Sequence, residues 1–190
     1  MALIVFVVFM NMIVQLPDPI LTTPAKKISS FDKKLRIKII EMKKMLESAK
    51  NPRGVGLAGP QAGFPYRIFL TRPTEKSDIR VFINPEILTL SKETTGGLSQ
   101  KEKKLEGCLS IPEIWGDVKR NQSLTLRYQD ETGVIHEEEY SGFLATIIQH
   151  ETDHINGILF THRVIEQKGK FFQTAKDENG KETLEELKLT

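Results

Sequence analysis

Two of the four histidines in this 190-residue chain stand four residues apart in QHETDHING, residues 149–157. On a helix, positions i and i+4 share a face, one turn apart. His150 and His154 can therefore aim both imidazoles at one centre, with Glu151 beside the first. This is the H-E-x-x-H arrangement, two metal ligands and an adjacent carboxylate for acid–base work. The same letters also fit a polar helix face with two hydrogen-bonded histidines, so the remaining chemistry must decide. Cys108, in EGCLS, is the only cysteine. Alone it cannot close an intramolecular disulfide, and it is a buried filler, a nucleophile or a third metal ligand. The glycine-rich stretch GVGLAGPQAG, residues 54–63, is not followed by Lys-Ser/Thr and lacks the surroundings of a nucleotide fingerprint, which argues against a phosphate loop.

These groups need elements to hold them. Ser141 is placed to cap a helix bearing Phe143, Leu144, Ile147 and Ile148, and Gly157 to end it, so HETDH falls on a helix. Upstream, Phe31, Leu35, Ile39, Met42, Leu46 and Ala49 recur at helical spacing, with Ser29 or Ser30 as the cap and Asn51-Pro52 as the stop. The lysines opposite read as a solvated face. YRIFL and IRVFI read as strands, Asn84-Pro85 as a break, and EILTLS as a resumed strand. SLTLRYQ and VIHEEEY alternate on either side of DETG, a hairpin signal. KETTGGLSQKEKK reads as a polar loop. The tail ENGKETLEELKLT reads as a short, exposed, charged helix.

The length suits a single domain, residues 1–190, with residues 1–11 as an apolar extension and 166–190 as a short charged tail. Apolar residues make up 39% and charged residues 27%, which excludes a disordered chain. A net charge of +2 is too small to argue for nucleic acid. The apolar run at residues 2–10 is too short to cross a bilayer. No Lys or Arg precedes it and no small-residue cleavage site follows, which argues against a secretory signal. It reads as a buried or edge strand, or as the product of a start assigned too early, with Met10 or Met12 as the true start.

Taken together and in order, GVGLAGPQ, EGCLS and HETDH resemble the signatures of the peptide deformylase family, G-x-G-L-A-A-x-Q, E-G-C-L-S and H-E-x-D-H. The resemblance runs from about Ile13 to about Val164 and includes PDPIL and FINPEI. It implies an α+β fold, antiparallel β-sheets packed around a central helix that carries the H-E-x-x-H motif, with a flanking N-terminal helix. It implies hydrolysis of the formyl group from N-formylmethionine at the start of nascent polypeptides. Cys108, His150 and His154 would hold one divalent metal ion, Fe²⁺ in the cell, with Zn²⁺, Ni²⁺ or Co²⁺ able to replace it. Three protein ligands leave a fourth position open, as catalysis requires. Glu151 would be the general base and then the acid. The Gln61 amide and the Leu109 backbone N–H would stabilise the oxyanion. Gly54 and Gly56 would let the loop approach the substrate, and Val55, Leu57, Phe143, Thr146 and Ile147 would line the methionine pocket. Trp115 is placed either at the pocket mouth or in ordinary packing. Glu106 and Asp153 are candidates for bracing the ligands, while His136 and His162 read as surface residues.

The sequence departs from the signatures at Gly59, where the family has a second alanine, and at Asn156-Gly157, where Asp-Gly is common. The resemblance implies a cytoplasmic enzyme, transient ribosome contact, no direct nucleic-acid binding and no stable membrane association. The mixed-charge tail argues against the basic C-terminal helix by which some family members dock on ribosomes. Two rivals remain. An H-E-x-x-H peptidase would leave EGCLS and Gln61 idle, and a non-catalytic homologue should have lost a ligand or the glutamate.

Overall fold

A computed structural model describes residues 12–50, 52–95 and 105–188. The apolar extension at residues 1–11 and the expected helix stop at Asn51 lie outside the described residues. Helix α1 spans Lys33–Ser48, and β1, β2 and β3 follow at Gly56–Ala58, Ile68–Thr71 and Arg80–Leu90. Strands β4 to β7 are Glu106–Cys108, Ile111–Gly116, Ser123–Gln129 and Ile135–Ser141. Helices α2 and α3 are Gly142–Ile155 and Phe160–Glu166, and strands β8 and β9, at Phe171–Lys176 and Glu182–Leu187, complete the set. All strand pairings are antiparallel, in a five-stranded sheet ordered β1-β2-β3-β6-β7 and a four-stranded sheet ordered β4-β5-β8-β9. The fold is α+β, with α2 packed on β1, β2, β6 and β7.

Strand alternation builds two cores from one sheet. Phe69, Phe82, Leu124, Leu126 and Tyr140 face α2, meeting Ala145, Ile148 and Ile155. Their neighbours Ile68, Leu70, Val81 and Ile83 face the other way, onto Leu35, Ile39, Met42 and Leu46 of α1. The central sheet is thus sandwiched between the two helices. A third cluster, Cys108, Val118, Phe160, Val164 and Phe171, joins α3 to the second sheet and brings β4 to the flank of α2.

Four local expectations need correction. The cap of α1 is Asp32, whose carboxylate accepts from Leu35 N–H at 3.0 Å, rather than Ser29 or Ser30. Ser141 occupies the N-cap position of α2, but its side chain makes no capping hydrogen bond. Asn84-Pro85 does not break the chain. It forms a bulge inside β3, with Asn84 at φ 50° and its side chain bonded to both Ile28 peptide groups and to Gln129. A bulge is where a strand tolerates proline, because the ladder lapses there. The tail is a strand, not a helix. Asn179-Gly180 turns the chain, with Asp177 accepting from Asn179 and Lys181 N–H, and β9 pairs with β8 along its length. The acidic run looked helical because the β8 partner that selects the extended form is nonlocal.

Candidate metal centre and active site

The middle of α2 carries two imidazoles past the end of β4. Gln61, on a one-turn 3-10 helix after β1, reaches the same point. Cys108 Sγ lies 3.3 Å from His154 Nε2, and one donor atom each from Cys108, His150 and His154 lie within 4.8 Å of one another. The two imidazole rings stand 4.9 Å apart, edge to face. A tetrahedral zinc-type site, with metal–sulfur near 2.3 Å and metal–nitrogen near 2.1 Å, needs donors about 3.4–3.6 Å apart. The three donors fit such an ion with small side-chain adjustments. Burial pushes the Cys108 thiol up, but His154 and His150 outweigh it and bring the group down to about 5, so the sulfur is available as a thiolate.

Of the two histidines, His150 is oriented from behind, while the buried His154 Nδ1 has no hydrogen-bond partner among the described residues. His150 Nδ1 meets Glu106 Oε2 at 3.0 Å, leaving Nε2 for the metal side. Glu106 is itself gripped by Arg120, at 2.7 Å from Nε and 3.0 Å from a terminal nitrogen. Burial raises the Glu106 carboxyl, but Arg120 and His150 outweigh it and hold it down at about 2. Arg120 Nη1 also donates to Asp153 Oδ2 at 2.6 Å, and Arg163 donates to both Asp153 oxygens. Asp153 therefore braces α2 through two arginines and does not touch a ligand imidazole. Sequence reasoning missed Arg120 and Arg163. Buried carboxylates require a cation, but nothing local says which of 27 Lys and Arg residues supplies it.

Gln61 is fixed by its own loop. Ala58 N–H donates to its Oε1 at 2.9 Å, which turns Nε2 toward Cys108 Sγ at 3.4 Å and Ser110 Oγ at 3.2 Å. Glu151 is 3% exposed, and its Oε2 has no hydrogen-bond partner among the described residues. Burial pushes its carboxyl up to about 7. Gly56 lies against this carboxylate, and a side chain there would overlap it.

A cavity of about 940 Å³ opens over these groups. Gln61, Cys108, Leu109, His150 and Glu151 line it, together with Val55, Gly56, Phe143, Thr146, Ile147 and Trp115. Two expected pocket residues do not: Leu57 is fully buried in the core under α1, and Gly54 packs on Leu46 and Ala49. Trp115 covers Gly107, its cross-strand partner, and donates to Thr174 Oγ1 of β8 at 3.0 Å. Of the two histidines outside the cluster, His136 meets Asp130 at 2.8 Å, and His162 Nδ1 accepts from Leu159 N–H at 3.3 Å. Gly59 answers a local need: a Cβ there would lie 2.5 Å from the Tyr66 carbonyl and 2.6 Å from that of Phe64.

A buried Cys-His₂ donor set beside a buried carboxylate, on an α+β scaffold, defines a metallohydrolase site. The model of the polypeptide deformylase family matches residues 10–170. A peptide deformylase of Christiangramia forsetii is 39% identical over 172 residues, covering 83% of each chain. The crystal structure of a Synechococcus elongatus peptide deformylase in complex with actinonin superposes with a TM-score of 0.71 at 36% identity, over 80% of this chain and 78% of that one. The Thermotoga maritima peptide deformylase structure also gives 0.71 at 36% identity, over 81% of this chain and 97% of that one. This chain belongs to the polypeptide deformylase family. Its reaction is the metal-dependent removal of the formyl group from N-formylmethionine at the start of new polypeptides.

Proposed function

We propose that Glu151 is the acid–base residue of this deformylase, that Gln61 and Leu109 stabilise the oxyanion, and that Cys108, His150 and His154 hold one divalent metal ion. The observation that carries this reading is the convergence of the three donors, the unpartnered Glu151 Oε2 and the Gln61 amide on one cavity. When bound, the metal supplies a Lewis acid and lowers the pKa of water.

The protein residues divide the remaining work. Val55, Gly56, Phe143 and Ile147 receive the methionine and help keep bulk water out. The Gln61 amide, held by Ala58, and the Leu109 N–H donate where negative charge develops on the formyl oxygen. Glu151 Oε2 takes a proton from the attacking water and delivers it to the methionine nitrogen as the C–N bond breaks, releasing formate. A carboxyl group near 7 has both forms accessible at neutral pH, as this double role requires. Glu106 holds His150 in place throughout.

The soft thiolate with two imidazoles accepts Fe²⁺, Zn²⁺, Ni²⁺ or Co²⁺, and we assign Fe²⁺ as the cellular ion, from the family resemblance. The chain acts as one catalytic domain in the cytoplasm. No helix of the described residues is long and apolar enough to cross a membrane. Ribosome contact, as the family resemblance implies, is transient.

The test is turnover of formyl-Met-Ala-Ser against acetyl-Met-Ala-Ser by anaerobically prepared, Fe²⁺- or Ni²⁺-loaded protein. Formate release and peptide-bond cleavage are followed separately. Formate with intact peptide bonds is the expected result. Peptide cleavage would indicate the peptidase, and neither product with one metal bound would indicate a non-catalytic homologue.

A further inference from the structure

The side-chain amide of Gln61 offers one acceptor oxygen and two N–H donors. Its Oε1 takes the Ala58 N–H at 2.9 Å, and a backbone N–H only donates, so this contact fixes which end of the amide is nitrogen. The nitrogen meets two acceptors, Ser110 Oγ at 3.2 Å and Cys108 Sγ at 3.4 Å. These acceptors stand in different places. Cys108 lines the catalytic cavity, whereas Ser110 is fully buried and lies outside the cavity lining. One Gln61 N–H therefore goes to a group behind the wall, and the other lies along the wall itself. A hydroxyl so placed does not meet substrate, which excludes Ser110 as a nucleophile.

A second set of contacts ties the same two residues together through their backbones. Val14 N–H donates to the Gln61 carbonyl at 2.8 Å, and Leu16 N–H donates to the Ser110 carbonyl at 3.2 Å. The short segment from Val14 to Leu16 thus bridges the 3-10 turn that carries Gln61 and the Leu109-Ser110 turn between β4 and β5. The Ser110 N–H faces Cys108 Sγ at 3.4 Å, so the backbone of this residue serves the sulfur while its hydroxyl serves Gln61. Ser110 also follows Leu109 directly, so it joins the two oxyanion donors.

We infer that Ser110 is a positioning residue for the oxyanion site: its hydroxyl holds the Gln61 amide in the plane that aims the second N–H at the formyl oxygen. The inference rests on the reading above that Gln61 stabilises the oxyanion. The last torsion of a glutamine is broad, so an amide held at its oxygen alone swings. Bonds at both Oε1 and one N–H remove that freedom. Of the two acceptors on the nitrogen, only the sulfur borders the cavity. The N–H facing it is the one that developing negative charge draws away, while the Ser110 bond stays made.

The experiment is a double-mutant cycle on metal-loaded protein, following formate release from formyl-Met-Ala-Ser together with metal content and Tm. Gln61→Ala should lower kcat by about 10²–10³. Ser110→Ala, which removes one oxygen and leaves the backbone N–H to Cys108, should lower kcat by roughly tenfold with KM and metal content unaltered. In the Gln61→Ala background, Ser110→Ala should cost nothing further, because the amide it positions is gone. Ser110→Thr keeps the oxygen and should hold kcat near that of the parent. An equal loss from Ser110→Ala in both backgrounds, loss of metal from Ser110→Ala, or unaltered kcat overturns the inference while Gln61 keeps its role. Unaltered kcat in Gln61→Ala would remove the oxyanion reading and this inference with it. If the alanine variant does not fold, Ser110→Thr decides: a threonine protein as slow as Gln61→Ala overturns the inference.

Discussion

Gly56 lies directly against the carboxylate of Glu151, so close that a methyl group at residue 56 would overlap Oε1. Strand β1 therefore sets the position of the Glu151 carboxylate on α2. Gly56→Ala should displace that carboxylate and cut kcat by about a hundredfold, with metal content unchanged. Steady-state kinetics beside metal analysis would show it. Unaltered kcat would mean that Glu151 has room to move without consequence.

Cys108 and Glu151 should separate under substitution. Glu151→Ala is expected to lose about 10²–10⁴ in kcat while keeping one metal per chain. Cys108→Ser should lose the metal first and the activity with it. Metal analysis after gel filtration distinguishes the two. A Cys108→Ser protein that stayed loaded and active would remove the thiolate from the ligand set.

Arg120 pairs with two buried carboxylates, Glu106 and Asp153, and is itself only 5% exposed. Arg120→Met should cost about 3–5 kcal/mol by leaving buried charge uncompensated. Urea denaturation of the metal-loaded proteins measures it. Adding Glu106→Gln to Arg120→Met should recover part of the loss, because it removes one of the stranded charges.

Restoring alanine at residue 59, where the family signature has it, should destabilise this chain. The Tyr66 and Phe64 carbonyls occupy the space the methyl group needs. A lower Tm for Gly59→Ala is expected. A raised Tm would show that the loop relaxes freely.

Glu138 accepts from Arg80, Tyr128 and Tyr140. Its burial raises the carboxyl, but these partners outweigh it and lower the group to about 2, against an ordinary 4.5. A carboxylate held down in the folded state stabilises above its unfolded pKa, and that contribution fades as pH falls toward the folded one. The Tm gap between the parent protein and Glu138→Gln should thus be full at pH 6 and shrink between about pH 4.5 and 2. A gap independent of pH would show that the charge plays no part.

Much of the site was legible in the chain itself. His150, Glu151 and His154 share a helix, so their spacing states their geometry, and Cys108 and Gln61 sit in short frames whose letters match the family. The alternating strands and the α1 stripe were readable for the same reason, since period and face are local properties. Where the reading failed, the deciding partner was distant in sequence. The tail looked helical until β8 offered it a ladder, and Asn84-Pro85 looked like a break until Ile28 and Gln129 satisfied it inside a strand.

The amino-acid sequence by itself pointed to the candidate donor set and the carboxylate beside it through residue type and short spacing, and to the reaction class through the likeness of its three motifs to those of the family. Only the tertiary structure decided that Arg120 locks Glu106 and Asp153 behind the ligands, and that Leu57 turns into the core while Gly56 faces Glu151. Coulomb pairing and close packing act through space, and the chain carries no local record of which distant residue will arrive there.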